Sequence, residues 1–206
     1  MTPSILVLAK KPLAGRVKTR LCPPCSPAEA AAIAAAALED TLAAVRAVPA
    51  RRVLAVDAAY VARGFESLRQ HGNGLAERIV NAIADVGAPV LQIGMDTPQV
   101  TPRLLIRCAR ELMRVDVDAV LGPCADGGWW LLGVTDPAMA RAIRDVPMST
   151  PETGILTRKA LRQAGLRVRL LPTLIDVDVI DDARAVAALV PGGAFAAAVT
   201  GVERAA

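Results

Sequence analysis

The chain has 206 residues, 53% of them apolar and 21% charged, which is enough to bury a sizeable core and excludes a disordered class. Its formal net charge of +4 comes from 24 basic and 20 acidic residues, with only two Phe, one Tyr and two Trp, so it lacks both the charge and the stacking surface of a nucleic-acid binder. The length predicts a single domain over 1–206, with a core over about 4–190 and a C-terminal helical segment over about 180–206.

The first element is a short continuous apolar run, "SILVLA" (4–9), which reads as a buried strand. Directly behind it, "AKKPLAGRVKTRL" (9–21) gathers Lys10, Lys11, Arg16, Lys18 and Arg20 around Gly15. Five cations in one loop repel one another, and either water or an anion must offset that repulsion. Cys22 and Cys25 then form a C-x-x-C, a spacing used by redox centres and by half a zinc site. It lies in a Pro-rich loop rather than at a helix start, and Cys108 and Cys124 make no second C-x-x-C. The reading is incidental loop cysteines, reduced, in a chain expected in the cytoplasm.

Ser26-Pro27 reads as an N-cap with Pro at the first helical position, opening a long alanine-rich helix to Val48. "RRVLAVD" (51–57) is a second strand, "GLAERIVNAIADVG" (74–87) a helix stopped by Gly87, and "APVLQIGMD" (88–96) a third strand. Thr101-Pro102 starts a helix to about Arg114, and "DAVLGP" (118–123) and "WWLLGV" (129–134) are further strands. "STPE" (149–152) reads as a capping box, with Ser149 as cap and Glu152 three residues on, opening a helix to about Gln163. "LRVRLLP" and "LIDVDV" add two extended pieces. The uncharged stretch from Ala185 to Val202 is split by Pro191-Gly192-Gly193, which favours a helix, a turn and a second helix over a membrane span.

Strands alternating with helices argue for an α/β domain around a mainly parallel sheet, where ligands bind beyond the carboxyl ends of the strands. The basic loop, Asp57 and Asp96 all fall on that edge. Cations beside paired carboxylates suit a polyphosphate with a divalent metal: the cations hold phosphate oxygens and the acids hold the ion. The chain has one histidine, His71, and no G-x-S-x-G, P-loop or G-x-G-x-x-G, so nucleophilic triads and standard dinucleotide sites are not supported. Asp57 alone is ordinary turn chemistry, and "DGG" (126–128) makes a tight turn by composition. Trp129 and Trp130 alternate faces on a strand, one toward the core and the other toward a pocket.

Taken in order, "AKKPLAGRVKTRL", "ALEDTL", "GMDTPQVTP", "GPCADGGWWLLGV", "MSTPE" and "IDVDVIDDA" resemble a family of small bacterial proteins of the glycosyltransferase-A fold, described as glycosyl- or nucleotidyl-transferases. Its nearest functionally understood relatives resemble the 2-phospholactate guanylyltransferases and, more distantly, the molybdenum-cofactor guanylyltransferases. The resemblance implies a three-layer α/β/α sandwich of the nucleotide-diphospho-sugar transferase type. It implies that Lys10, Gly15, Arg16, Lys18, Gly74 and Arg78 bind the nucleotide and that Asp96 and Asp178 hold Mg²⁺ or Mn²⁺. Lys18, Arg20 and Asp126 would be catalytic, with Gly127 and Trp129 at the acceptor.

The family more often has Ser-Asp-Cys-Pro where this chain has Met95 to Pro98, Tyr-Tyr for Trp129-Trp130, and D-V-D-T-P-E-D for "DVDVIDD". The lost Thr-Pro weakens the helix start after Asp178, and the short stretch between Asp57 and Gly72 predicts an abbreviated strand. The expected reaction is metal-dependent nucleotidyl transfer from a nucleoside triphosphate to a small phosphorylated acceptor. Glycosyl transfer from a nucleotide-sugar is the alternative, and a non-catalytic nucleotide-binding scaffold is the alternative of another class. Lys18→Ala is expected to cut turnover and leave the fold intact. The alanine-rich C-terminal segment is a candidate homodimer interface.

Overall fold

Every residue of "SILVLA" is buried, as a parallel strand covered by helices on both faces requires. The computed structural model describes residues 2–205, and the side-chain surroundings of 2–202. Its strands are β1 (Ser4–Ala9), β2 (Arg52–Val56), β3 (Glu66–Arg69), β4 (Val90–Ile93), β5 (Ala119–Pro123), β6 (Trp129–Val134) and β7 (Val168–Leu170). They form one sheet in the order β3-β2-β1-β4-β6-β5-β7, parallel throughout except for β6, which runs antiparallel to β4 and β5. β1 and β4 end side by side, so the loops that follow them face each other across the carboxyl edge.

The helices are α1 (Pro27–Arg46), α2 (Leu75–Val86), α3 (Pro102–Leu112), α4 (Thr153–Gln163), α5 (Ile180–Leu189) and α6 (Ala194–Ala205). On one face, Leu38, Leu42 and Val45 of α1 and Leu105 and Leu112 of α3 pack on Val7, Leu54, Leu91 and Ile93. On the other face, Ile79 and Ile83 of α2, Ile143 of a 3-10 turn (Pro137–Ile143) and Leu161 of α4 pack on Leu6, Val53, Val90 and Leu132. The architecture is therefore a three-layer α/β/α sandwich.

A third cluster joins Ile33 of α1, Val186 of α5 and Phe195 and Val199 of α6. The helix–turn–helix expected at the C-terminus is present, and its apolar face is covered by this chain's own α1. No helix among the described residues is long and apolar enough to cross a membrane.

Local chemistry explains most boundaries. Ser26 caps α1 through Glu29 N, and Glu29 reaches back to Ser26 N, a reciprocal capping box on the expected Ser-Pro start. Gly87 ends α2 in the left-handed conformation at φ 67°, and the Thr101 side chain caps α3. The abbreviated strand expected before Gly72 is β3, four residues at the sheet edge.

Three expectations are corrected. "APVLQIGMD" is a strand only over Val90–Ile93, and "LIDVDV" forms no strand beyond a single bridge between Leu174 and Cys124. "STPE" is not a capping box: α4 starts at Thr153, its N-cap Glu152 makes no side-chain cap, and Ser149 sits at φ 61°. The N–H of Gly154 is instead satisfied by the Gly127 carbonyl at 2.8 Å, so a tertiary contact replaces the local cap.

At the opposite sheet edge, Arg167 forks onto both oxygens of Asp118 (2.8 and 2.9 Å) and its N–H donates to the same carboxylate, tying β7 to β5. These bonds hold the Asp118 carboxyl down at about 2, against an ordinary 3.8. A carboxylate depressed in the folded state stabilises above its unfolded pKa, and that contribution disappears as pH falls through the folded one. Asp118→Asn is therefore expected to cost about 1 kcal/mol at neutral pH, the partly exposed Arg167 screening the rest. Urea denaturation should show the gap from wild type closing between about pH 4 and pH 2; a gap constant over that range would refute the assignment.

Candidate functional site

The basic loop leaves β1 with its start tied to the second strand, because Asp57 Oδ1 accepts from Lys11 N at 2.8 Å. Lys18 adopts a left-handed backbone at φ 48° and leads into a 3-10 turn, Thr19–Leu21. That turn sends the Lys18 side chain inward, leaving it 9% exposed. Its ammonium donates to the Val177 carbonyl and pairs with Asp96 Oδ1 at 2.8 Å. The Arg20 guanidinium pairs with Asp178. Two of the five loop cations are thus neutralised by this chain's own acids. Among the described residues, the side chains of Lys10, Lys11 and Arg16 have no carboxylate partner.

Asp96 follows β4, and Asp176 and Asp178 lie on the segment before α5, where Asp182 Oδ2 accepts from Asp178 N and Val179 N. Asp182 thereby starts α5 in place of the missing Thr-Pro. Burial, followed by the charge of Asp96, pushes the Asp176 carboxyl up to about 7, against the pull of Lys18. Burial alone would lower the Lys18 pKa, but Asp96, Asp176 and Asp178 together outweigh it and raise it.

The acids are therefore in excess over the cations that face them. Asp96 Oδ1 is buried and meets the ammonium off the hydrogen-bonding direction, so that pair is chiefly Coulombic. Clustered hard oxygen donors are the ligand type that fits Mg²⁺ or Mn²⁺. Among the described residues no group of three His, Cys, Asp or Glu is arranged as a ready-made metal site, and Lys18 stands against the acid that would hold an ion.

These groups line one cleft of about 830 Å³ at the carboxyl edge of the sheet. Lys10, Arg16, Lys18 and Arg20 line it from the basic loop, Gly74 and Arg78 from the start of α2, and Asp96 and Asp178 from the acidic side. Asp126 and Trp129 line the far wall. Two expected residues do not reach the cleft. Gly15 shapes the loop at φ 74°, with nothing within 4 Å of where a Cβ would stand. Gly127 packs its backbone on Pro151, and its neighbour Gly128 lines the cleft instead.

The far wall is built from two turns. Asp126 Oδ1 accepts from Gly128 N at 2.9 Å, closing the first turn on itself. The second turn, holding Ser149 and Thr150, also lines the cleft and is locked by Thr150 N donating to Thr153 Oγ1 at 3.0 Å. Trp129 is half-buried on this wall and donates to Thr157 Oγ1 at 3.1 Å, whereas Trp130 is 2% exposed and donates to the Pro172 carbonyl at 3.0 Å.

Asp176, Gln92 and Thr97 line the cleft as well, and sequence reasoning gave none of them a role. Asp176 was visible as the first acid of "DVD", but only burial distinguishes it from Asp178. Gln92 was visible as one polar residue inside an apolar strand.

The fold is that of the nucleotide-diphospho-sugar transferases. A structure from Desulfovibrio desulfuricans G20, provisionally a nucleotide-diphospho-sugar transferase, matches with a TM-score of 0.81 at 22% identity, covering 98% of this chain and 99% of that one. The 2-C-methyl-D-erythritol 4-phosphate cytidylyltransferase of Thermus thermophilus matches with a TM-score of 0.57 at 18% identity, over 96% and 99% of the chains. Rv0371c of Mycobacterium tuberculosis H37Rv in complex with manganese matches with a TM-score of 0.56 at 20% identity, over 90% and 98%. No curated protein sequence matches significantly. The chain belongs to the family described as "uncharacterized protein conserved in bacteria" (DUF2064), whose model matches residues 30–150.

Proposed function

We propose that this chain is a metal-dependent transferase acting on a nucleotide donor, and that it moves a nucleotidyl group from a nucleoside triphosphate to a small phosphorylated acceptor. The observation that carries this reading is the cleft itself: cations without carboxylate partners on one side, the clustered carboxyl groups of Asp96, Asp176 and Asp178 on the other. Guanylyl transfer is the finer version supported by the resemblance of the basic loop.

In this reading Lys10 and Arg16 bind the phosphate chain, and Arg20 adds the N–H groups of its fork not turned to Asp178. Asp96 with Asp178 would hold Mg²⁺ or Mn²⁺, which supplies charge neutralisation at the phosphates when bound. Gly74 and Arg78 border the nucleoside. An acceptor phosphate beside Asp126 and Trp129 attacks the α-phosphorus in line, one P–O bond forms as another breaks, and pyrophosphate leaves with the electron pair. Lys18 orients Asp96 more than it touches substrate. The work of the site is positioning and electrostatics, with no nucleophilic side chain.

Glycosyl transfer is the second reading, supported by the provisional description of the Desulfovibrio neighbour; there a hydroxyl attacks the anomeric carbon and a nucleoside diphosphate leaves. The test is thermal stabilisation by nucleoside triphosphates and nucleotide-sugars, each with and without Mg²⁺ or Mn²⁺. A ligand at a hundred times its dissociation constant adds about 2.7 kcal/mol. A metal-dependent shift with one donor class selects the reaction. A shift that needs no metal, with no turnover of any donor, favours the nucleotide-binding scaffold.

Arg16→Ala should leave the unliganded melting temperature unchanged, since Arg16 is exposed, while weakening triphosphate binding about tenfold, the scale of one charged hydrogen bond. Calorimetric titration giving equal affinities for the two proteins would remove Arg16 from the phosphate site.

A further inference from the structure

Two side chains on the cleft wall have oxygens that are buried without any hydrogen-bonding partner: Gln92 Oε1 and Thr97 Oγ1. Both residues are 2% exposed. Leaving such a group unpaired costs about 1–3 kcal/mol, and a strand interior otherwise filled by Val, Leu and Ile had an apolar alternative at no cost.

Gln92 stands in the middle of β4, in register with Leu6 of β1 and Leu132 of β6. Its neighbours Leu91 and Ile93 belong to the core under α1 and α3, so Gln92 points to the other face, toward α2. Two residues on, Gly94 carries no side chain to cover it, and a Cβ there would meet nothing nearer than Asp96 N at 3.9 Å. Leu8, Ile79 and Trp129 also line the cleft on this face. The result is a stretch of cleft wall with apolar neighbours and a buried amide set into it.

We propose that Gln92 is a specificity-determining residue that receives a hydroxyl group of the ligand, with Thr97 a second unpartnered polar group on the same cleft wall, which makes the part of the ligand beyond the phosphates a sugar or other polyol. This rests on the reading of the cleft as a phosphate site. A phosphate or carboxylate carries no donor, so it could meet the amide NH₂ but would leave the amide oxygen unmet. Rotating the amide exchanges its oxygen for NH₂ and leaves a donor unmet instead. A hydroxyl both donates and accepts, so it satisfies either orientation, and it is neutral, as apolar walls require. A polyol also offers donors on adjacent carbons, enough for two separate oxygens, and its C–H face suits the Trp129 ring.

The experiment compares glycerol 3-phosphate, ribose 5-phosphate and glucose 1-phosphate with inorganic phosphate and pyrophosphate, by melting temperature and by calorimetric titration. Wild type, Gln92→Met and Thr97→Val are each tested. In wild type at least one polyol phosphate should bind more tightly than inorganic phosphate. Gln92→Met should reduce that advantage about tenfold, the worth of one well-placed hydrogen bond in a dry site, while its unliganded melting temperature equals or exceeds that of wild type. Thr97→Val should act in the same direction.

A Gln92→Met protein that melts lower without ligand would make the amide a structural group and overturn the proposal. So would an unchanged polyol advantage, or a Gln92-dependent advantage confined to nucleoside triphosphates, which would point to a base edge. Pyrophosphate that stabilises none of the proteins would strike the phosphate reading and this inference with it. Pyrophosphate binding without any polyol advantage would strike the inference alone.

Discussion

Lys18→Met is expected to lower the stability of the unliganded protein by about 2 kcal/mol. The side chain is 9% exposed, and its ammonium joins three segments distant in sequence: the basic loop, Asp96 after β4, and the Val177 carbonyl before α5. Removing it leaves Asp96 and Asp176 facing each other with no cation between them. Breaking a fully buried pair costs about 3–5 kcal/mol, and the estimate falls below that range because the Asp96 side chain is 35% exposed.

The sequence-based expectation that a Lys18 truncation leaves the fold intact is therefore replaced. Loss of turnover in such a variant would not by itself identify a catalytic group. Asp96→Asn added to Lys18→Met should recover much of the lost stability, since a neutral amide does not need the ammonium. A denaturant series on wild type, both single variants and the double variant measures the coupling directly. A Lys18→Met protein with the wild-type midpoint and slope would show that the ammonium contributes nothing to the folded state.

The same residue explains where sequence reading stops. The basic loop, the helix starts at Ser26 and Thr101, and the stop at Gly87 were legible because their causes lie within four residues of one another. The shared edge of the loop, Asp57 and Asp96 was legible because alternating strands and helices leave one parallel solution. What the loop's charges do was only half legible: repulsion calls for water or an anion, but nothing local says that Asp96 and Asp178 supply the negative charge for Lys18 and Arg20 from far along the chain. "STPE" misled for a related reason, since the Gly154 N–H takes the Gly127 carbonyl rather than a side chain of its own turn. Gln92 was passed over in "VLQIG", because a polar residue in a strand acquires meaning only once the missing side chain of Gly94 and the absence of a partner are seen together.

Gly127→Ala should be the more damaging of two conservative-looking changes in the far wall, lowering stability by about 3 kcal/mol. Gly127 sits at φ 91°, outside the range L residues adopt readily, and a Cβ there would land on the Pro151 carbonyl oxygen. Neither atom has an easy escape. The Gly127 carbonyl is held by Gly154 N at 2.8 Å, and Gly154 itself leaves no room, since its own Cβ would stand 2.7 Å from the Gly128 carbonyl oxygen and 2.8 Å from that of Gly127. To relieve the clash the two turns must separate, carrying Asp126 and Gly128 away from Ser149 and Thr150 and opening that wall of the cleft. Gly128→Ala meets only the Asp126 carboxylate, at 3.2 Å, an exposed side chain that can give by a few tenths of an ångström, so it should cost under about 1 kcal/mol. Trp129 follows this turn and Trp130 follows Trp129, and they are the chain's two tryptophans, so fluorescence-detected denaturation reads the region directly. Gly127→Ala should shift the folded-state emission as well as the midpoint, and Gly128→Ala should shift neither appreciably. Equal stabilities for the two variants would mean that the turns are not locked together, and that the far wall is free to move without strain.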